Sequence, residues 1–385
     1  MQIPEKFDPI RPFEPEELPE AFARLMADEQ FKMVLNHAMP GITPEAMTEQ
    51  LQQCKTNLDF QKAFCYGFLR KIVKEKGKDL KIDRTSIDLQ QRYTFVSNHR
   101  DIVLDSAFLD ILLIEANCDT TCEIAIGDNL LAASWIKDLV RINKSFIVER
   151  GLTPRKMLEA SQRLSEYMHF AIQEKHENIW IAQREGRAKD SDDRTQVALL
   201  KMMSMGGEGN WIERLIQLHI VPLTISYEYD PCDFLKAREM QLKRDNAEYK
   251  KTRQDDILSM QTGMMGYKGS IHYHCSPCID QWLQTLDPKE PKGELYERIA
   301  HHIDMQIHKN YRIYANNYVA LDLLEGTETY LCHYTNAKRK DFEQYVERQI
   351  EKIELPNKDV PFLRKCILTM YANPLKNFLA TQTPE

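Results

Sequence analysis

Apolar and polar positions change rhythm three times along this chain. The first stretch carries Pro4, Pro9, Pro12, Pro15 and Pro19 and no periodic apolar stripe, which predicts an extended arm over 1–20. From 21 to 84 apolar residues recur at helical spacing, and helices are expected over 21–35, 44–54 and 60–76. Phe60, Phe64, Phe68 and Ile72 form one stripe on the last of these, and Gly77 is its stop. The basic run around it is diluted by Glu75, Asp79 and Asp83, so it reads as a solvated helix end and linker rather than a membrane or acidic-protein contact.

Over 85–290 the period shortens. Strands are expected over 93–97, 122–127, 145–149, 179–183, 220–226 and 270–275, with helices over 106–115, 130–140, 154–173, 195–205 and 211–219. Thr153 followed by Pro154 is the cap and first turn of the third helix. This alternation predicts an α/β fold: a mixed, mostly parallel central sheet flanked by helices, with N-terminal and C-terminal helical extensions. The last region, 291–385, is again helical and is punctuated by Pro356, Pro361 and Pro374. Within it, Phe362, Ile367, Met370 and Leu375 alternate with Arg364, Lys365 and Lys376. Such a helix either lies in a membrane interface or docks on the core, and docking is favoured.

Composition narrows the class. The chain has 385 residues, 43% hydrophobic and 28% charged, which excludes global disorder. The net charge of −7 argues against a general nucleic-acid binder. No apolar run approaches the about 20 residues of a spanning helix, and the proline-rich acidic start does not resemble a signal peptide. The expected location is cytoplasmic, with any membrane contact peripheral, on the cytoplasmic face of the inner membrane. Nine scattered cysteines read as reduced, mostly core thiols. Only 14 glycines are present, and no glycine-rich nucleotide loop.

The sharpest chemical signal is Ser97-Asn98-His99-Arg100-Asp101-Ile102-Val103-Leu104-Asp105. A strand runs into a histidine turn, and then into a helix. Imidazole accepts a hydroxyl proton at neutral pH, and a carboxylate on its other nitrogen fixes the tautomer. One histidine among 11 is by default a surface residue, but further segments come after it in order. Gly127-Asp128-Asn129, Arg150 after the strand that holds Phe146, and Glu185-Gly186-Arg187 with Lys189 lie at or beyond strand ends, and Val221-Pro222-Leu223 lies in a strand with an internal proline. In an α/β sheet such ends share one edge, so Arg150, Arg187 and Lys189 gather on the side of His99. Guanidinium forks around a base suit a phosphate-bearing substrate.

With these blocks the chain resembles the glycerolipid acyltransferases, most closely the glycerol-3-phosphate branch, over about 90–280. The family's first block is His, four residues, then Asp. That position falls on Leu104 here, so Asp105 is favoured as the partner of His99, with Asp101 the alternative. The strand 146–150 matches the second block, and Glu185, Gly186, Arg187 and Lys189 the third, with Arg187 directly after the glycine. The fourth is matched by Val221-Pro222-Leu223.

The resemblance implies that His99 deprotonates a hydroxyl of glycerol 3-phosphate, which attacks the thioester of acyl-CoA or acyl carrier protein. Arg150, Arg187 and Lys189 then hold the phosphate, Glu185 orients the arginine loop, and Pro222 shapes a wall. No resident cofactor or metal is implied, and no nucleic-acid partner. A glycerol phosphate acceptor and a membrane surface are the expected partners, in phospholipid synthesis. Lysophosphatidate or another lipid acceptor is the runner-up, and a non-catalytic acyl-lipid-binding relative is the other class.

Three rival signals are weaker. His272, His274, Cys275 and Cys278 have zinc-ligand chemistry, but on a strand the histidines face away from Cys275, and the chain has no second cluster to complete a zinc ribbon. His99-Arg100-Asp101 imitates a kinase loop but has Ser106 where a kinase needs asparagine. Met202, Met203 and Met205 suit an acyl tunnel, though such a run is more often core.

Overall fold

A computed structural model describes residues 3–38, 41–131 and 133–382. The head of the expected arm (1–2), Ala132 within the expected helix 130–140, and the last residues, 383–385, lie outside the described residues. A seven-stranded sheet carries the molecule, built from β1 (Gly77–Asp83), β2 (Thr94–Ser97), β3 (Cys122–Gly127), β4 (Ser145–Val148), β5 (Asn178–Ala182), β6 (Ile220–Tyr227) and β7 (Gly269–Cys275). Its order is β1-β7-β6-β2-β5-β3-β4. Every neighbouring pair is parallel except β6 with β7. The fold is therefore α/β with a mixed, mostly parallel sheet and helical extensions. The central strand β2 is buried along its whole length, as expected when helices cover both faces.

Six strands fall where apolar runs predict them. β1 does not: it occupies the segment read as helix end and linker, inside the region read as helical over 21–84. Its polar residues belong to a sheet edge, where Leu80 alone is buried. Two helices, Asp233–Asp245 and Arg253–Met265, also stand in a stretch without a predicted element.

The proline-rich start is also not simply extended. It makes two 3-10 turns, Glu5–Phe7 and Pro15–Glu17, and buries Phe7, Ile10 and Phe13. The Ile10 carbonyl accepts from Ile147 N at 2.8 Å, on the other edge of the sheet. The expected helix over 21–35 breaks at Asp28, whose carboxylate accepts from Gln30 N and Phe31 N.

Four apolar clusters fill the layers. One lies under each face of the sheet, around Met168 and Ile303 and around Phe108 and Tyr273. A third holds the N-terminal helices against Ile142. The fourth is C-terminal: the helix Val360–Ala380 docks through Leu363, Ile367 and Leu375 rather than standing free. Met203 is core and Met202 packs against that core. Among the described residues no helix is long and apolar enough to cross a membrane.

Candidate active site

β2 ends at Ser97, and the wholly buried Asn98 anchors the turn beyond it. Its Nδ2 donates to the Ile225 carbonyl at 2.9 Å, and Ile225 N donates to its Oδ1 at 2.8 Å. This two-way clamp on β6 sets His99 at the carboxyl edge of the sheet. His99 Nδ1 lies 2.9 Å from Asp105 Oδ2. The same oxygen accepts the backbone N–H groups of Arg100 (2.6 Å) and Asp101 (3.0 Å). One carboxylate oxygen thus ties the backbone of the turn to the imidazole and orients the ring. The Trp180 ring stands edge-on to His99 at 5.7 Å, and its Nε1 donates to Ser97 Oγ at 3.1 Å.

The two candidate carboxylates divide their work. Asp105 sits in the first turn of the helix Leu104–Glu115 and reaches back to His99. Leu104, where the family spacing would place the acid, is wholly buried in the core. Asp101 caps the helix start: its Oδ1 accepts from Val103 N (2.9 Å) and Leu104 N (2.8 Å). Burial, then the charge of Asp105, raise the Asp101 pKa. Gly263 of the helix Arg253–Met265 presses on Asp101 so closely that an added Cβ would stand 2.0 Å from its Oδ2.

Arg187 and Lys189 enter one pocket behind this turn. It is lined by five cationic side chains, Arg187, Lys189, Lys236, Arg238 and Lys251, against two carboxylates, Glu239 and Asp255. Lys189 pairs with Glu239 at 2.9 Å and Arg238 with Asp255 at 3.4 Å. Lys236 donates to the Arg100 carbonyl at 3.3 Å and pairs with Asp230, tying the pocket to the histidine turn.

Arg187 is buried, yet its Nη1 has no hydrogen-bond partner. Burial opposes its charge, but Cys232, Asp101 and Asp230 more than offset this, and its pKa is raised. Burial, then Arg187, bring the Lys189 ammonium down to about 8. Arg187 thus brings a buried guanidinium with an unspent donor into a pocket whose other cations, Lys189, Arg238, Lys236 and Lys251, are paired with Glu239, Asp255, Asp230 and Asp256.

Arg150 stands apart from that pocket. It pairs with Glu185 at 2.8 Å, so Glu185 meets Arg150 rather than Arg187. An added Cβ on Gly127 would lie 2.8 Å from Arg150 Nε, so glycine is what lets this guanidinium lie against the end of β3. Gly186 has φ +67°, the left-handed turn that starts the arginine loop. Pro222 is buried inside β6 and its carbonyl accepts from Ser276 N at 3.0 Å. Lys236, Arg238 and Lys251 escaped the sequence reading; the cation-rich run 236–244 is the signal that marks their region.

The metal-like segment separates as its alternation predicts: Tyr273 and Cys275 are buried, whereas His272 and His274 are half-buried, with His274 Nδ1 3.5 Å from Asp83.

No protein-family model matches the chain, and no curated protein matches it. Among solved structures, the chain is similar to the 1-acyl-sn-glycerophosphate (LPA) acyltransferase PlsC from Thermotoga maritima. The identity is 11% and the TM-score 0.36, over 74% of this chain and 93% of that one.

Proposed function

We propose that this protein is an acyltransferase that moves a fatty acyl group from an acyl thioester, acyl-CoA or acyl carrier protein, to a hydroxyl of glycerol 3-phosphate. One observation carries the reading: the His99–Asp105 pair is joined by its own turn to a pocket of five cationic side chains. A base beside an anion pocket suits an acceptor that carries both a hydroxyl and a phosphate.

In this reading Arg187 and Lys189 hold the phosphate, which presents the hydroxyl to His99 Nε2. His99 takes the hydroxyl proton while Asp105 stabilises the imidazolium through Nδ1–H. The alkoxide attacks the thioester carbonyl and forms the ester C–O bond. The tetrahedral intermediate then collapses, the C–S bond breaks, and the imidazolium returns its proton to the leaving thiolate. No acyl-enzyme forms. Holding both reactants in one geometry supplies much of the rate, and the base adds about 10²–10⁴-fold. Asp101 acts through the helix start. Work at the cytoplasmic membrane surface, in phospholipid synthesis, is part of the same reading.

The test is acyl transfer by the purified protein from palmitoyl-CoA or palmitoyl carrier protein to glycerol 3-phosphate or lysophosphatidate, followed by mass beside His99→Ala. Monoacylated glycerol 3-phosphate, lost in His99→Ala, is the expected result. Transfer to lysophosphatidate alone would reassign the acceptor. Acyl-thioester binding without transfer to either acceptor would replace the enzyme reading with that of a binding protein.

A further inference from the structure

A second polar cluster lies at the opposite edge of the sheet from His99. His219 immediately precedes β6, and its carbonyl accepts from Thr94 N, at the start of β2, at 3.2 Å. Because β7 runs antiparallel to β6, the residues leaving β7 arrive at the same place. Ser276 N donates to the Pro222 carbonyl and Ile279 N to the Ile220 carbonyl, each at 3.0 Å. This zipper brings Cys278 and Asp280 to His219.

One donor atom from each of His219, Cys278 and Asp280 lies within 4.8 Å of the others. His219 Nδ1 and Asp280 Oδ2 are already 2.6 Å apart. The other oxygen of Asp280, Oδ1, is buried without a hydrogen-bond partner. His219 holds a left-handed φ of +48°, rare for a residue with a Cβ. The earlier histidines of the segment 272–278 take no part, since His272 and His274 stand on β7 itself.

We propose that His219, Cys278 and Asp280 bind a zinc-class divalent cation. Imidazole nitrogen, thiolate sulfur and carboxylate oxygen together are a zinc-type donor set. Magnesium and calcium select oxygen alone. Zinc holds such donors at about 2.0–2.3 Å, so side-chain shifts of about an ångström close the site, with the cation replacing the proton now shared by His219 and Asp280. The His219 side chain is 43% exposed, which leaves an entry path and a fourth position for water. The site is separate from the histidine turn, so it stands whether or not acyl transfer is found.

The test is titration of the metal-stripped full chain with Zn²⁺ against a chromophoric chelator, and with Co²⁺ by absorption. The expected result is one equivalent bound, with a thiolate-to-cobalt charge-transfer band. His219→Ala, Cys278→Ser and Asp280→Asn should each weaken binding by at least tenfold while circular dichroism shows a native fold. Cys332→Ser, which removes the exposed thiol, should leave binding unchanged. The proposal is overturned if the wild-type chain binds no zinc, if Cys278→Ser binds as tightly as wild type, or if cobalt shows no thiolate band.

Discussion

His99 Nδ1 and Asp105 Oδ2 are 2.9 Å apart, and that one carboxylate oxygen also gathers the N–H groups of Arg100 and Asp101. Asp105→Asn replaces the carboxylate with an amide that can donate to Nδ1, which favours the wrong tautomer. A loss of about 10²–10⁴ in kcat is expected, with little change in KM. Asp101→Asn retains an oxygen to cap the helix and should lose far less. Steady-state kinetics on the two variants separate these roles, and equal losses would contradict them.

If Lys189 holds the acceptor's phosphate as proposed, acyl transfer should have an alkaline limit. Burial and the neighbouring Arg187 set its ammonium at about 8, so it is charged below that pH and neutral above it. Attraction for the acceptor's phosphate should therefore weaken as pH rises through about 8. The expected profile is a fall in kcat/KM carried by KM for glycerol 3-phosphate. Lys189→Arg, always charged, should remove that limb. A profile unchanged by the substitution would remove Lys189 from the phosphate site.

Gly263 sets how closely the helix Arg253–Met265 approaches Asp101. With an added Cβ only 2.0 Å from Asp101 Oδ2, Gly263→Ala must displace the carboxylate or the helix. Overpacking of this kind costs about 1–3 kcal/mol. Denaturant unfolding should show that loss, and acyl transfer should fall with it because the cap positions His99.

Arg100, next to His99 in the chain, has its guanidinium in the protein interior. Its guanidinium pairs at 2.7 Å with Asp193, which is fully buried, and lies 5.7 Å from the Tyr311 ring. Arg100→Met would leave the Asp193 carboxylate buried without its partner, at a cost of about 3–5 kcal/mol. The urea midpoint should drop accordingly. The double variant with Asp193→Leu should recover part of the loss.

The sequence exposed the sheet where burial and apolarity coincide. β2, β3, β5 and β6 are runs such as Phe95-Val96 and Ile179-Trp180-Ile181, and both faces of these strands are covered. β1 escaped because an edge strand keeps lysines and aspartates along its length. The helix Asp233–Asp245 escaped for the opposite reason: it buries Asp233, Lys236, Glu239 and Gln241, so its inward face is polar. Hydrophobic periodicity is blind to such a helix, and this is the helix that completes the cationic pocket. The histidine turn was legible because its chemistry is local, within seven residues from His99 to Asp105. The separate duties of Asp101 and Asp105 depend on how the turn coils, which spacing alone does not specify.

The pairing of β1 with β7 has a consequence for synthesis on the ribosome. Gly77 aligns with Gly269, 192 positions later (269 − 77). The N-terminal strand emerges early and must wait unpaired while five other strands are made. At about 5–20 residues per second, that delay is on the order of 10–40 seconds. The lysines and aspartates of Gly77–Asp83 keep the waiting segment soluble in the meantime. A nascent chain halted before Gly269 would hold the central strands with their closing partner missing, and that is the stage at which a chaperone has most to protect.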